Sequence, residues 1–399
     1  MRSNLGCLRY LIILFTVPAA LAQVPDGFEL LQITSDAHYD STARLNECGQ
    51  LVFAKRIGHS WADTEVILYD NGVLSRITVN DDRDVLPDIN NNGVMTWCRG
   101  IEGAGATQII VYEDGVETLV AENPVAATGP TINNQEHLGW TEWWGTGCED
   151  SDADIALRRN HRVRMVSDGT NTNQAAALNN VGMCTWTDYD FCPEPWESRV
   201  WYYDNGVARV ISQDWMHQPQ VPTINDSGTI VWMATDISEG ELWIWRDGVT
   251  ERLTDWGSNP RINNRGDIVM RRSYEGLRGP HVWLYRDGEF LQITDGPNKH
   301  WVPDINDHGE IVLRMDYTAQ STDILFMRRI RTGEFDFDGD FDLVDHREWT
   351  ACLDGPDFLA RHRVDPTDTL CDCRFLDLDH DNDVDLKDFS GFQNTFSKP

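Results

Sequence analysis

Six carboxylates are spaced along residues 377–388, DLDHDNDVDLKD. Counted as a twelve-residue loop, Asp377, Asp379, Asp381, Asp383, Asp385 and Asp388 fall at positions 1, 3, 5, 7, 9 and 12. An EF-hand loop delivers hard oxygen ligands to calcium at those spacings. Asn382 holds position 6, where the sharp turn needs a left-handed backbone that Asn tolerates better than other non-glycine residues. Val384 supplies the apolar residue at position 8. A second copy, EFDFDGDFDLVD, runs over residues 334–345. It places Glu334, Asp336, Asp338, Asp340, Asp342 and Asp345 in the same register, with Gly339 at the turn and Phe341 at position 8. Carboxylates this close repel one another without a cation. Ca²⁺ is therefore the expected cofactor, and its binding is expected to couple to folding of this segment.

Each loop leads into a short apolar helix face, formed by Phe389, Phe392 and Phe396 in one copy and by Trp349 and Leu353 in the other. This paired loop–helix arrangement resembles a dockerin module over residues 334–399. The resemblance implies that position 7 ligates through its backbone carbonyl, and that the module docks an exported protein onto a cohesin-bearing scaffold. Two features depart from the family pattern. A long cysteine-bearing insert separates the copies, and positions 10 and 11 read Leu343-Val344 and Leu386-Lys387 where small hydroxyl residues are usual. The cohesin partner is thus left open.

A second candidate set is dispersed. His38, His217 and His300 precede strand-like segments, and Trp143, Trp144, Trp196 and Trp215 lie in or beside turn-rich stretches. Aromatic rings beside carboxylates suit sugar faces and hydroxyls, or the basic groups of a protein partner. Gly-x-Ser-x-Gly, phosphate-loop and dinucleotide patterns are absent from the sequence.

Such scattered residues can act together only if a repeating scaffold gathers them. The stretch VPDINDHGEIVLRMD, residues 302–316, shows its unit: an apolar anchor, Asn or Asp, then Gly, then an apolar run. Anchors recur at Leu45, Ile89, Ile132, Leu178, Ile224, Ile262 and Ile305, a period of about 40–45 residues that suits a four-stranded propeller blade. Asn-Gly or Asp-Gly hairpins follow within each of five repeats, as in Tyr69-Asp70-Asn71-Gly72 and Tyr285-Arg286-Asp287-Gly288. The third repeat has Glu136 in place of the first hairpin's Gly. Phe28–Thr34 matches the last strand of a repeat, and the seventh repeat lacks that strand. The expected fold is mainly β: a seven-bladed β-propeller closed by the N-terminal strand, plus a small α-helical paired calcium-loop module. Trp97, Trp140, Trp186 and Trp232 share one strand position and are expected to pack between blades.

The repeats resemble TolB-like and WD40-like propellers over residues 27–333, through the Asn-x-x-Gly hairpin and strands ending Ile33-Thr34, Ile77-Thr78, Leu253-Thr254 and Ile293-Thr294. TolB-like lyases of acidic sugars hold a metal with propeller histidines, so the resemblance also allows a polysaccharide lyase or hydrolase.

Residues 1–22 read as a secretory signal: Arg2 and Arg9, an apolar run from Tyr10 to Val17, then Ala20-Leu21-Ala22. The expected divisions are 1–22 signal peptide, 23–333 propeller and 334–399 calcium module. A formal net charge of −32 disfavours nucleic acid, which demands a basic footprint. No later run is long enough to cross a bilayer. An exported chain can form disulfides; Cys352 with Cys371 or Cys373, and Cys148 with Cys192, are the candidate pairs, whereas Cys184 fits a core position. The expected product is a secreted or cell-surface monomer that binds a glycan or an envelope or scaffold protein.

Overall fold

The computed structural model describes residues 9–11, 24–41, 43–58, 60, 63–101, 107–144, 153–167, 172–190, 197–212, 219–235, 240–273, 279–318, 321–330 and 385–390. It is mainly β and propeller-like. Each repeat folds as an antiparallel unit of four strands, and the seven units follow one another along the chain. The second is representative: Arg83–Ile89, Met95–Gly100, Thr107–Glu113 and Val116–Asn123. A single parallel pair, Ala153 with Thr172, joins the third and fourth units into one continuous sheet. In the seventh unit, Lys299–Ile305, Ile311–Asp316 and Thr322–Arg329 are completed by Phe28–Gln32, which pairs antiparallel with the last of them. The backbone N–H of Ile330 then donates to the Gly27 carbonyl at 2.8 Å. Arg9–Leu11 adds a fifth strand along Val73–Arg76 in the first unit.

The turns obey the residue chemistry. Asn71-Gly72, Asp114-Gly115, Asn205-Gly206, Asp247-Gly248 and Asp287-Gly288 all have two positive φ angles, the signature of the two-residue hairpin that matches strand twist. The third unit reaches the same geometry without Gly, through Asn160 (φ 48°) and His161 (φ 60°). Glu136 likewise sits at φ 58°, held by its N–H donating to the Asn133 carbonyl.

The inner strands of the sheets are buried on both faces, because neighbouring units pack face to face, whereas outermost strands such as Arg162–Met165 are exposed. Val52 and Val66 of the first unit join Met95, Trp97 and Ile110 of the second. Phe53 and Ile67, one residue along each strand, join Val312, Ile324 and Phe326 of the seventh. Trp97, Trp140, Trp186 and Trp232 are all fully buried. Cys98 and Cys184 are buried free thiols. The candidate pairs, Cys352 with Cys371 or Cys373 and Cys148 with Cys192, fall outside the described residues.

Two closed circuits of hydrogen bonds tie the units together. The residue after each anchor is Asn, at 46, 90, 133, 179, 225, 263 and 306. Its Nδ2 donates to the backbone carbonyl of the corresponding Asn in the next unit at 2.8–3.2 Å, and Asn306 returns to Asn46. Its Oδ1 accepts the N–H four residues on, clasping its own hairpin at 2.7–3.0 Å. One residue further along, each backbone N–H donates to the side-chain oxygen of its counterpart in the next unit. That circuit runs from Glu47 through Asn91, Asn134, Asn180, Asp226, Asn264 and Asp307 and back to Glu47 at 2.6–3.1 Å. Each sheet stays open; the circle is made by bonds between sheets.

Replacing Asn306 with Ala leaves the Asn46 carbonyl and the Glu310 N–H short of partners. A buried polar group stranded in this way costs roughly 1–3 kcal/mol. Denaturant unfolding of the Asn306→Ala chain should show a loss of about 2 kcal/mol or more. A loss below about 0.5 kcal/mol, the range of neutral surface changes, would show the circuit to be dispensable.

Candidate functional site

The axis of the ring is lined by the first strand of each unit, and those strands share an irregularity. Three residues before the anchor the backbone turns left-handed: Leu86 (φ 54°), Gly129 (φ 61°), Ala175 (φ 59°), Val221 (φ 50°), Asn259 (φ 50°) and Val302 (φ 39°). In five of these six the next residue is Pro: Pro87, Pro130, Pro222, Pro260 and Pro303. The strand register shifts at the same point in all six. These are β-bulges, which re-aim side chains, and positive φ at β-branched Val221 and Val302 is genuine strain.

The residue just before each anchor lines a central cavity of about 390 Å³. Around the ring these residues are Arg44, Asp88, Thr131, Ala177, Thr223, Arg261 and Asp304. Four consecutive units, from the sixth through the seventh and first to the second, thus carry alternating charges: Arg261, Asp304, Arg44, Asp88. The remaining three are uncharged. Asp88 Oδ2 accepts the Ile132 N–H at 2.9 Å, and Asp304 Oδ2 accepts the Leu45 N–H at 3.1 Å. The Arg261 guanidinium lies 3.7 Å from Asp304. Burial pushes the Asp88 carboxyl above its ordinary range against the pull of Arg44. Burial, helped by Arg44, draws Arg261 down to about 10. Arg44 Nη1 is buried without a hydrogen-bond partner.

A second cluster occupies the end of the ring opposite the Asn circuits. Lys55 Nζ bonds Asp40 Oδ1 at 2.7 Å and Asp36 Oδ1 at 2.9 Å. His38 Nδ1 lies 3.1 Å from Asp36 Oδ1. Asp40 also accepts the Thr34 hydroxyl and is wholly buried, and burial raises its carboxyl to about 6 despite Lys55. In the next unit Asp84 and Arg99 take the same places, 2.7 Å apart.

Of the aromatic and His residues singled out from sequence, Trp143, Trp144, His38 and His300 are described. Trp144 is 55% exposed, whereas neighbouring Trp143 is half-buried, its Nε1 donating to Thr128 Oγ1 at 3.2 Å. His38 is partly exposed beside Asp36. His300 is buried inside the ring wall, its Nδ1 3.3 Å from Nδ1 of His281. His300 stands five residues before its anchor, the register that holds buried Asp40 and Asp84 in other units, and this position faces inward. Trp196, Trp215 and His217 lie outside the described residues, as do Glu334, Asp336, Asp338, Asp340, Asp342, Asp345, Asp377, Asp379, Asp381 and Asp383. Asp385 and Asp388 are described. Asp385 Oδ1 accepts the Lys387 N–H at 2.6 Å, and the Asp385 N–H donates to Asp388 Oδ2 at 2.9 Å. This reciprocal cap opens a helical turn over 386–390. Among the described residues no three His, Cys, Asp or Glu side chains are grouped to hold a metal, and no helix is long and apolar enough to cross a membrane.

No family model matches the chain, and no curated protein is similar to it in sequence. Solved structures similar to it are propellers. The β-propeller domain of the Trilobed protease from Pyrococcus furiosus is 11% identical, with a TM-score of 0.56 over 73% of this chain and 95% of the other. An oligogalacturonate lyase in complex with manganese is 10% identical, with a TM-score of 0.61 over 81% and 98%. Pyrococcus horikoshii acylaminoacyl peptidase is 13% identical, with a TM-score of 0.54, but the chain spans only 52% of its length. At these identities the likeness shows a common fold.

The axial residues were not singled out from sequence. Their signal was the Pro two residues before five of the anchors, with a charged or small residue between.

The buried His281–His300 pair gives a pH dependence with a definite sign. Burial holds both imidazoles below the ordinary value of 6.5, His300 at about 4. The stability this neutral pair supports is whole above pH 6.5 and is lost as pH falls toward about 4. The thermal midpoint should drop across that window, and the double replacement His281→Leu, His300→Leu should flatten the drop.

Proposed function

We propose that this is an exported seven-bladed propeller that works by binding. Its turn-rich face takes a glycan or an envelope or scaffold protein, and its dockerin-like tail, charged with Ca²⁺, docks or anchors it. One observation carries the reading. At the hairpin end the Asn, Asp and Glu oxygens of the first hairpins are committed to the two circuits, whereas the opposite end keeps Trp144, Asp36 and His38 accessible. An exposed indole and a partly solvated carboxylate at one end of the ring suit hydroxyl-rich or basic ligands. The signal-like leader and the two acidic loops supply export and attachment.

A second reading, a TolB-like polysaccharide lyase or hydrolase, draws on the Lys55–Asp40–Asp36–His38 cluster. A carboxyl that titrates near 6 beside a lysine is suited to general acid–base work, and a propeller of the same fold is an oligogalacturonate lyase. Asp40, however, is enclosed, and Asp84 with Arg99 repeats its arrangement as a brace between strands. The binding reading is therefore the stronger.

Glycan-array or pull-down retention by the calcium-loaded chain should weaken about tenfold for Trp144→Ala, as for an aromatic hot spot. Unchanged retention would remove the turn-rich face from the function. Turnover of an acidic polysaccharide that is abolished by Lys55→Met would favour the second reading. Calcium should bind with measurable heat, and chelation should speed amide exchange over 334–399 while sparing the ring. Equal exchange with calcium and with chelator would refute the tail's role.

A further inference from the structure

We propose that the axial cavity is a separate binding site for a small zwitterion of the amino-acid class, its carboxylate on Arg44 and its ammonium between Asp88 and Asp304. The cavity is of ligand size: 390 Å³ falls within the 300–1,000 Å³ usual for small-molecule sites. Its wall is asymmetric. Arg261, Asp304, Arg44 and Asp88 alternate in sign over four adjacent units, and Thr131, Ala177 and Thr223 close the other side. The four charges sense one another across the axis: Arg44 acts on Asp88 and Arg261, and Asp304 acts on both Asp88 and Arg261.

This pattern selects among ligands. A simple anion drawn to Arg44 meets two fixed carboxylates on either side, and a simple cation between the carboxylates meets two guanidiniums. Either would be desolvated beside a like charge, which disfavours its binding. A molecule bearing both charges matches the alternation. A neutral sugar would need an aromatic platform for its apolar face, and none of the residues lining the cavity is aromatic. The uncharged side, built of Ala, Thr and Pro with the anchor residues, suits an aliphatic side chain. Arg44 supplies the unmet demand, because its Nη1 is buried with no acceptor and a carboxylate would satisfy it through charge-assisted hydrogen bonds. The bulges that precede these residues repeat in six units, so the lining is held by the fold and is preorganised.

The test uses the full chain and needs no variant at its first stage. Calorimetry and thermal shift are run with L-valine and L-leucine, and in parallel with isovalerate, isobutylamine and glucose. Binding of the amino acids, with none by the acid, the amine or the sugar, is the expected result. Arg44→Met should then weaken amino-acid binding about tenfold or more, and Ala177→Phe, which fills the uncharged side, should abolish it. Trp144→Ala, on the outer face, should leave it unchanged, which separates this site from the glycan or protein site proposed above. Binding of isovalerate or glucose as tight as that of valine would overturn the proposal, and so would the absence of any amino-acid binding by the wild-type chain. Should Arg44→Met fail to fold, Ala177→Phe and the wild-type panel still decide the matter.

Discussion

A single side-chain amide, repeated seven times, holds this architecture in register. Each Asn after an anchor spends its oxygen on its own hairpin and its nitrogen on the next unit. The first bond fixes the turn, and the second fixes the spacing between turns. No other side chain of that length offers an acceptor and two donors at once; Asp has no donor and Ser no second arm. The neighbouring circuit, in which a backbone N–H meets an Asn, Asp or Glu oxygen, is less demanding, and there the residue type varies. Apolar packing between the sheets supplies most of the adhesion, but it is non-directional. The amide circuits turn that adhesion into a ring of fixed geometry.

The ring in turn dictates what lies at its centre. Because every first strand is pinned at the Asn, the residue before each anchor reaches the axis, and in six units a bulge three residues before the anchor precedes it. Seven positions become equivalent in space while staying free to differ in chemistry. The charges of Arg44, Asp88, Arg261 and Asp304 balance within the set, so a chain of strongly negative net charge keeps a locally neutral core. Their mutual fields, together with the N–H groups of Leu45 and Ile132, let these ions sit away from bulk water.

Much of the architecture was legible in the sequence, because the recurring part of a repeat is what the fold constrains. The anchors, the Asn-Gly and Asp-Gly hairpins, the buried tryptophans and the orphan strand Phe28–Gln32 all followed from period and turn chemistry. The inter-unit role of Asn46 and its six counterparts was not legible, since the same residue explains a hairpin just as well and its second partner lies one whole repeat away. The axial set escaped for the opposite reason. Its residues differ from unit to unit, and variation at a repeated position looks like tolerance until the ring superposes it. Nothing in the sequence around His300 pointed to its partner, since His281 sits on a different strand of the preceding unit. The third unit's Asn160-His161 turn shows a smaller limit, as it lacks the Gly that marks the other hairpins.

The pairing of Phe28–Gln32 with Thr322–Arg329 sets how the molecule would carry tension. Gly27 and Ile330, at the outer ends of the closing pair of strands, are joined by a hydrogen bond, so the chain enters and leaves that pair at one point. A tail fixed to a surface would pull on Thr322–Arg329, which is hydrogen-bonded along both edges, to Ile311–Asp316 and to Phe28–Gln32. The strain would spread over two ladders and into a first strand whose start lies on the far side of the closure. A clasp of this kind lets a circular domain be moored by one end without being unwound from it.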